Sequence, residues 1–164
     1  MATMRKNIVA GVVLVLAFLG IADAWYLAQT AYQGTALFCD FNSVVLDGCN
    51  IVAKSPYGHL FGIPLGVYGV FFYAVLFVLA ALYLFLPRRS VAVLLTIFGV
   101  LGLAAGALFI GIQVLLIKAL CIYCLGSAAI DVFIFISVLL FWRKERATPE
   151  ASPVIEPWDA PVLP

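Results

Sequence analysis

Cys121-Ile122-Tyr123-Cys124 opens the last apolar run of the chain, which continues from Leu125 to Trp142. A run of this length predicts a membrane-spanning helix with the two cysteines in its first turn. A helix N-terminus carries unpaired N–H groups and a partial positive charge, which stabilise a thiolate and lower the pKa of a cysteine. A Cys-x-x-Cys pair at this position can therefore cycle between a dithiol and a disulfide. The same spacing also occurs as half of a zinc site.

Composition predicts an integral membrane protein. Of its 164 residues, 66% are hydrophobic and 10% are charged, whereas a soluble domain has about 25% charged residues. The net charge is +1, and the absence of a basic patch argues against a nucleic-acid partner. The cysteines form two pairs, one in a polar loop and one in the motif, which suits an oxidising compartment such as a periplasm or a secretory lumen. They are Cys39, Cys49, Cys121 and Cys124.

Four apolar runs predict an all-α integral membrane protein, a bundle of four transmembrane helices. The predicted spans are residues 8–29, 63–86, 91–117 and 120–142, and each is long enough to cross a membrane. The first run has a charged start and contains Ala22-Asp23-Ala24, a pattern that also fits a cleaved signal peptide. We favour a retained helix because the apolar character resumes after Asp23 and continues through Ala31. Glycines at four-residue spacing, Gly62 and Gly66, indicate close packing between helices.

The long polar segment of residues 30–62 is the predicted catalytic loop, and it carries Cys39 and Cys49. Loops of this length are usually either functional or disordered. The many apolar residues within it indicate that it packs onto the membrane domain, which we assign to residues 1–146. Residues 147–164 are rich in proline and are predicted to be a disordered cytoplasmic tail.

Basic residues predict the orientation in the membrane. Lys54 and Lys118 lie at the same end of the predicted helices as the two cysteine pairs. The other seven basic residues lie at the opposite end: Arg5, Lys6, Arg88, Arg89, Arg143, Lys144 and Arg146. By the positive-inside rule both termini are cytoplasmic. The predicted location is therefore the inner membrane, with both cysteine pairs on the periplasmic or external face.

Two cysteine pairs on one side of a membrane favour a redox relay. Thiol–disulfide exchange passes two electrons between pairs through a mixed disulfide. The loop pair can meet a soluble partner, whereas the motif pair lies at membrane depth, where a lipid-soluble quinone is the natural acceptor. Taken singly, Cys39 and Cys49 would fit a loop staple, and Cys121 and Cys124 would fit buried apolar thiols. Taken together on one face, they favour the relay.

The chain resembles the vitamin K epoxide reductase family, in its bacterial branch, from about Ile8 to Trp142. The resemblance is carried by Cys39 and Cys49 after the first helix, Ser55 six residues later, Phe61-Gly62-Ile63-Pro64 at the second helix, and the Cys-x-x-Cys motif at the fourth. A loop pair, two helices and then Cys-x-x-Cys is the order of this family. DsbB-type quinone reductases share the chemistry on a four-helix bundle. They carry Cys-x-x-Cys in the first external loop, so they are an alternative at the level of fold only.

The resemblance implies a role for each cysteine. Cys39 would exchange with the partner's thiol, Cys49 would carry the electrons to Cys121, and Cys124 would face a quinone such as ubiquinone or menaquinone. Ser55 would lie near the quinone headgroup as a hydrogen-bond donor. The implied activity is that of a quinone-dependent thiol:disulfide oxidoreductase in disulfide bond formation. Since the sequence shows no fused thioredoxin-like domain, the expected partner is a separate thioredoxin-fold, DsbA-like protein.

Other residues leave alternatives open. An asparagine and a tyrosine help the vertebrate enzymes to hold vitamin K, and the corresponding positions here are Leu65 and Ala128, which favours a simple quinone over the epoxide. Asp131, seven residues past Cys124, is an intramembrane acid, and such acids are functional candidates by default. A protonated side chain that hydrogen-bonds between helices is the alternative for Asp131. For the whole chain, the alternatives are a non-enzymatic scaffold or small-ligand transporter with a structural loop disulfide, and metal binding by the four cysteines, although we predict no metal site.

Overall fold

The computed structural model describes the backbone of residues 2–39 and 48–147 and the side chains of residues 7–39 and 48–140. In chain order the elements are α1 (Ala2–Gln33), α2 (Cys49–Lys54), a 3-10 turn (Pro56–Gly58), β1 (His59–Leu60), β2 (Ile63–Pro64), α3 (Leu65–Phe85), α4 (Arg89–Ile112), a π-helical turn (Gln113–Ile117) and α5 (Ile122–Ala147). Part of the predicted loop, residues 40–47, lies outside the described residues. So does the predicted tail beyond Ala147, the last residue of α5.

The four long helices α1, α3, α4 and α5 form the predicted transmembrane bundle and confirm the fold class. Their apolar spans are Asn7–Gln33, Leu65–Phe85, Arg89–Ile117 and Ile122–Leu140, which are of the length that a bilayer requires. The second span begins at Leu65 rather than at residue 63. This is because Ile63 and Pro64 pair with Leu60 and His59 in a short antiparallel hairpin.

The core of the bundle lies where α1 packs against α3 and α5. α1 contributes Ala10, Val13 and Ala17 to this core, while α3 and α5 contribute the fully buried Leu76 and Ile134. Small residues on α1 let the neighbouring backbones approach, which is how helices gain contact energy in lipid. The first apolar run thus packs as an integral part of the bundle.

Glycines on α3 and in the hairpin before it have different functions. A Cβ atom on Gly66 would lie 2.6 Å from the backbone nitrogen of Ala28 and 2.8 Å from the carbonyl oxygen of Ala24, so only glycine lets α3 lie directly on α1. Gly62 has φ of +81° and nothing within 4 Å of its Cβ position. Its backbone makes the turn between β1 and β2. The predicted packing role is therefore right for Gly66 and wrong for Gly62.

Two hydrogen bonds join the segment after α1 to α2. The N–H group of Leu37 donates to Asn50 Oδ1 at 2.8 Å, and Asn50 Nδ2 donates to the carbonyl oxygen of Leu37 at 3.3 Å. Leu37 and Val52 are buried with three of the cysteines. This segment therefore packs onto the end of the bundle, where it covers the start of α5.

Candidate active site

Cys39 and Cys49 form a disulfide, which joins the segment after α1 to the first residue of α2. Cys49 is completely buried, and Cys39 is only 7% exposed. Asp40, the residue after Cys39, lies outside the described residues. A partner thiol must therefore displace some of the groups that cover Cys39 before it can attack this disulfide.

Cys121 lies immediately before α5 and forms its N-cap, so the helix begins at Ile122 rather than at residue 120 and Cys121 lies just outside the predicted first turn. Its carbonyl oxygen accepts the N–H of Leu125 at 3.0 Å, the first hydrogen bond of the helix. The Cys121 thiol is buried and lies beside the Cys124 thiol and the N–H groups of Tyr123 and Cys124. The hydrogen bond from the Cys124 side chain is the main cause that lowers the pKa of Cys121 to about 7. The two N–H groups lower this pKa further, and burial opposes them.

Gln113 fixes the chain just before the motif. Its Oε1 accepts the N–H of Cys121 at 2.9 Å, and its carbonyl oxygen accepts the N–H groups of Lys118 and Ala119. Lys118 has the left-handed φ of +57°, which ends the π-helical turn and reverses the chain toward α5. Gln113 is buried, with only 2% of its surface exposed. Sequence reasoning missed this residue, although a lone amide near the end of a charge-free apolar run was the available signal.

The two cysteine pairs meet at a close backbone contact. Gly48 directly precedes Cys49, and a Cβ on it would lie 2.7 Å from Ala119 Cβ and 2.8 Å from the nitrogen of Leu120. Leu120 in turn directly precedes Cys121. One buried cluster contains Cys39, Cys49 and Cys121, and Cys124 packs against it. The structure therefore brings together all four cysteines that the sequence singled out.

Two tyrosines hold the segment before Cys39 over the start of α5. Tyr123 OH donates to the carbonyl oxygen of Phe38 at 2.8 Å, and Tyr26 OH accepts the N–H of Phe38 at 3.3 Å. The two tyrosine rings contact each other with centroids 5.1 Å apart. Because Phe38 is the residue before Cys39, these bonds fix the loop pair relative to the motif. Apolar periodicity and motif spacing do not predict this contact.

A cavity of about 410 Å³ lies beside the motif pair, between α3, α4 and α5. This volume is within the range of small-molecule sites. Most of the wall is apolar and includes Leu65 and Ala128. Of the four cysteines, only Cys124 lines the cavity, and the polar groups Gln113 and Asp131 line it too.

Ser55 does not line this cavity. Its Oγ donates to the carbonyl oxygen of Val52 at 2.7 Å. Val52 and Tyr57, on either side of Ser55, do contribute to the wall. The role of Ser55 as a donor to a quinone therefore stays a prediction, and it requires the hydroxyl to leave Val52.

Acidic residues within the spans are held by partners on other helices. Tyr73 OH donates to Asp131 Oδ1 at 3.0 Å and lies 3.1 Å from the carbonyl oxygen of Ser127. Ser127 Oγ donates to Asp23 Oδ2 at 2.5 Å. Asp23, which the sequence suggested as an interruption of the first run, is thus a link between α1 and α5. A carboxyl group in an apolar bundle is stable only with such partners.

The model of the vitamin K epoxide reductase family matches residues 11–139, which is most of the chain. The chain belongs to this family. No individual curated protein matches it. Membership makes the protein a membrane thiol–disulfide oxidoreductase of the vitamin K epoxide reductase family, in agreement with its disulfide and its four membrane helices. The matched residues include both cysteine pairs and the lining of the cavity.

Proposed function

We propose that this vitamin K epoxide reductase family protein oxidises the thiols of a separate thioredoxin-fold, DsbA-like protein and passes the electrons to a membrane quinone. The observation that carries this proposal is the continuous arrangement of disulfide, dithiol and cavity. Cys39 and Cys49 are bonded, Cys121 packs beside them, and Cys124 lines the cavity. The supported activity is therefore a quinone-dependent thiol:disulfide oxidoreductase in disulfide bond formation.

The cysteines would act in two exchange steps. In the first, the two thiols of the partner reduce the Cys39–Cys49 disulfide, so the partner gains a disulfide and this pair gains two electrons and two protons. In the second, Cys49 attacks the oxidised motif pair at Cys121, and a mixed disulfide forms until Cys39 resolves it. The loop pair is then a disulfide again, and the motif pair is a dithiol. That combination, Cys39–Cys49 bonded and Cys121 and Cys124 free, is the state that the structure has.

The cavity fits the quinone that family members use. It has the size of a small-molecule site, an apolar wall and a few polar groups, of which Cys124, Gln113 and Asp131 are examples. A quinone there supplies the acceptor for the two electrons and two protons that the motif dithiol releases. In this proposal Cys124 contacts the quinone, and the Cys121 thiolate closes the motif disulfide by bonding to Cys124.

Orientation and location in the proposal follow from charge. The two cysteine pairs share one end of the bundle, while Arg88 and Arg89 lie at the turn between α3 and α4, at the other end. We place that basic end and both termini in the cytoplasm of a cell with an inner membrane, and the cysteines outside. An external position would place the loop pair in the same compartment as the thiol oxidase that it is proposed to reoxidise.

Purified full-length protein in lipid nanodiscs would test this function. We expect it to oxidise a reduced DsbA-type protein under anaerobic conditions when ubiquinone-1 or menadione is added, at a rate that depends on the quinone. Replacing Cys124 by alanine should abolish the oxidation because the motif can no longer form a disulfide. Ser137→Ala is the matched control, since Ser137 lies on α5 outside the cavity.

The outcome separates the candidate functions. Oxidation by both the wild type and Ser137→Ala, with none by Cys124→Ala, supports the proposal. A rate of thiol oxidation that does not depend on added quinone would contradict the assignment of a quinone as the electron acceptor. No oxidation of any thiol by protein whose motif is oxidised would contradict the relay and leave the loop disulfide as a structural staple.

A further inference from the structure

We propose that Asp131 is a quinone-binding residue, whose protonated carboxyl group donates a hydrogen bond from Oδ2 to a carbonyl oxygen of the quinone. Tyr73 is the positioning residue that holds this carboxyl group. The assignment rests on the proposed function, because it takes a quinone as the occupant of the cavity. It assigns one hydrogen-bond donor for the quinone in a cavity that otherwise fits a quinone by its size and apolar wall.

One oxygen of the carboxyl group is fixed, and the other faces the cavity. Asp131 is 7% exposed and Tyr73 is 3% exposed. Tyr73 OH donates to Oδ1 at 3.0 Å. Within residues 7–39 and 48–140, no hydrogen bond to Oδ2 is present. A Cβ on Gly106, which lines the cavity, would lie 3.7 Å from Oδ2, so this oxygen is on the cavity side.

Two glycines of α4 keep the space in front of the carboxyl group open. A Cβ on Gly102 would lie 3.0 Å from Asp131 Oδ1 and 2.8 Å from Phe72 Cζ, which is too close for any side chain. A Cβ on Gly106 would lie 3.4 Å from Ala128 Cβ, in ordinary contact, and would occupy the space beside Oδ2. The open volume therefore reaches the free oxygen of Asp131.

The surroundings favour a neutral carboxyl group that needs an acceptor. No Lys or Arg of the described residues lines the cavity, and a carboxylate without a cation is costly in an apolar site. A proton on Oδ2 keeps Asp131 neutral and makes its carboxyl group a hydrogen-bond donor toward the cavity. Leu65 and Ala128, which line the same cavity, offer no side-chain donor. The two carbonyl oxygens of a quinone are acceptors of matching polarity.

The distance between Cys124 and Asp131 also suits a ring. The two residues are seven positions apart on α5, which is about 10 Å along the helix axis, and both line the cavity. A quinone ring between them would have the redox-active thiol toward one end and the Asp131 donor toward the other. The donor would thus select the depth at which the ring stops.

Equilibrium binding to protein with both cysteine pairs oxidised would test the ligand without any turnover. The probes are menadione and tail-free ubiquinone-0, added to full-length protein in nanodiscs. Asp131→Leu should bind both quinones about tenfold more weakly. Asp131→Asn retains a donor and should stay within roughly threefold of the wild type. Ser137→Ala on the same helix should bind as the wild type does.

Infrared difference spectroscopy gives a readout that a merely structural role would not change. Binding of either quinone should shift the carbonyl stretching band of a protonated carboxyl group. Asp131→Asn should lack this band, and Tyr73→Phe should move it even before quinone is added. Gel filtration and the Cys39–Cys49 disulfide report whether each variant is folded.

Three results would overturn the assignment. These are wild-type affinity in folded Asp131→Leu, an equal loss of affinity in Asp131→Asn and Asp131→Leu, and a carboxyl band that does not respond to quinone. The first, combined with normal quinone-dependent thiol oxidation, would remove Asp131 from the site and leave the proposed function intact. Wild-type protein that binds neither quinone would contradict both.

Discussion

The surroundings of Cys121, which lies just outside the fourth membrane span, favour its thiolate form. Its thiol lies at a helix N-cap, receives hydrogen bonds from Cys124 and Tyr123, and has a pKa lowered to about 7. Because the pKa is lowered, the thiolate predominates above pH 7 and the thiol predominates below it. We therefore expect reoxidation of the motif dithiol by quinone to slow as the pH falls through 7, since the Cys121 thiolate is the group that bonds to Cys124 in that step.

The thiolate absorbance of a variant that lacks the loop pair, Cys39→Ser/Cys49→Ser, measures this pKa directly. We expect one group to titrate near pH 7. Adding Cys124→Ala should raise the pKa of Cys121, because the main hydrogen-bond donor is lost. Adding Cys124→Ser should raise it less, since a hydroxyl group also donates. A titration in the parent variant near the ordinary value for cysteine would contradict the account of this site.

Cys124 is the cysteine that we expect to contact the quinone, because it alone among the four lines the cavity. Removal of its partner in Cys121→Ser should leave an unpaired Cys124 against an electron-poor ring. The purified variant with bound menadione should therefore show a visible charge-transfer band. Cys121→Ser/Cys124→Ser is the control and should lack the band. An unchanged band in this double variant would show that another group faces the ring.

The sequence was sufficient to predict the four cysteines but not the polar residues that position them. A Cys-x-x-Cys motif at the start of an apolar run determines its own place on the helix. By contrast, the bond between Asp23 and Ser127 joins residues 104 positions apart, and the bond between Gln113 and Cys121 depends on a reversal at Lys118. Such contacts follow from the rotation of helices against one another, which apolar periodicity does not determine in a chain that is apolar on all sides.

At the scale of elements, the contact between α2 and the turn before α5 determines whether the two pairs can exchange. Gly48 has φ of −79° and ψ of −1°, a conformation that alanine also adopts. The methyl group of Gly48→Ala would meet Ala119 Cβ at 2.7 Å, so α2 must move away from Cys121. Since a displacement of about 1 Å can cost on the order of 100-fold in rate, we expect transfer between the pairs to slow by 10- to 100-fold.

Rapid mixing followed by thiol alkylation would measure this transfer in Gly48→Ala. The matched control is Gly111→Ala, because a Cβ on Gly111 meets nothing within 4 Å. Both variants should reduce their loop disulfide with dithiothreitol at comparable rates, and only Gly48→Ala should be slow to pass the electrons to the motif. Wild-type transfer in Gly48→Ala would show that the close contact at residue 48 is not needed.

The existence of the long helices could be predicted because charge-free runs of membrane length have few other solutions in lipid. The bounds at the cysteine end could not. The hairpin before α3 consists of two residue pairs, too few for an alternating pattern. The π-helical turn Gln113–Ile117 is as apolar as the helix that it continues, except for Gln113 itself. These short irregular elements are what bring the loop pair to the motif.

At the scale of the whole molecule, the distribution of charge predicts which end faces the cytoplasm. In a background with all four cysteines replaced by serine, His59→Cys places a thiol on the exposed hairpin at the cysteine end. Ser90→Cys places one in the exposed first turn of α4, at the other end. A membrane-impermeant thiol reagent should label His59→Cys in intact cells and Ser90→Cys only after lysis. The reverse pattern would invert the assigned topology.

The four-helix architecture and the family were both predictable, since membrane length and cysteine spacing are local features of the sequence. The burial of Cys39 was not predictable, because it depends on how Leu37 and Phe38 are held by Asn50, Tyr26 and Tyr123. Because both sulfur atoms of the loop disulfide are buried, a partner reacts with the one that becomes accessible when the covering groups move. The proposed direction of electron flow, inward from Cys39 through Cys49, depends on that choice.

Trapping of the mixed disulfide tests this direction most directly. In Cys49→Ala the free Cys39 thiol attacks the disulfide of the oxidised partner, and Cys49 is no longer present to displace the partner from the mixed disulfide. In Cys49→Ala cells we predict a covalent complex, reducible by dithiothreitol, between Cys39 and a thioredoxin-fold protein outside the membrane, and in Cys39→Ala cells no such complex. A complex that forms only in Cys39→Ala would reverse the roles of the two cysteines. No complex in either variant would contradict the relay.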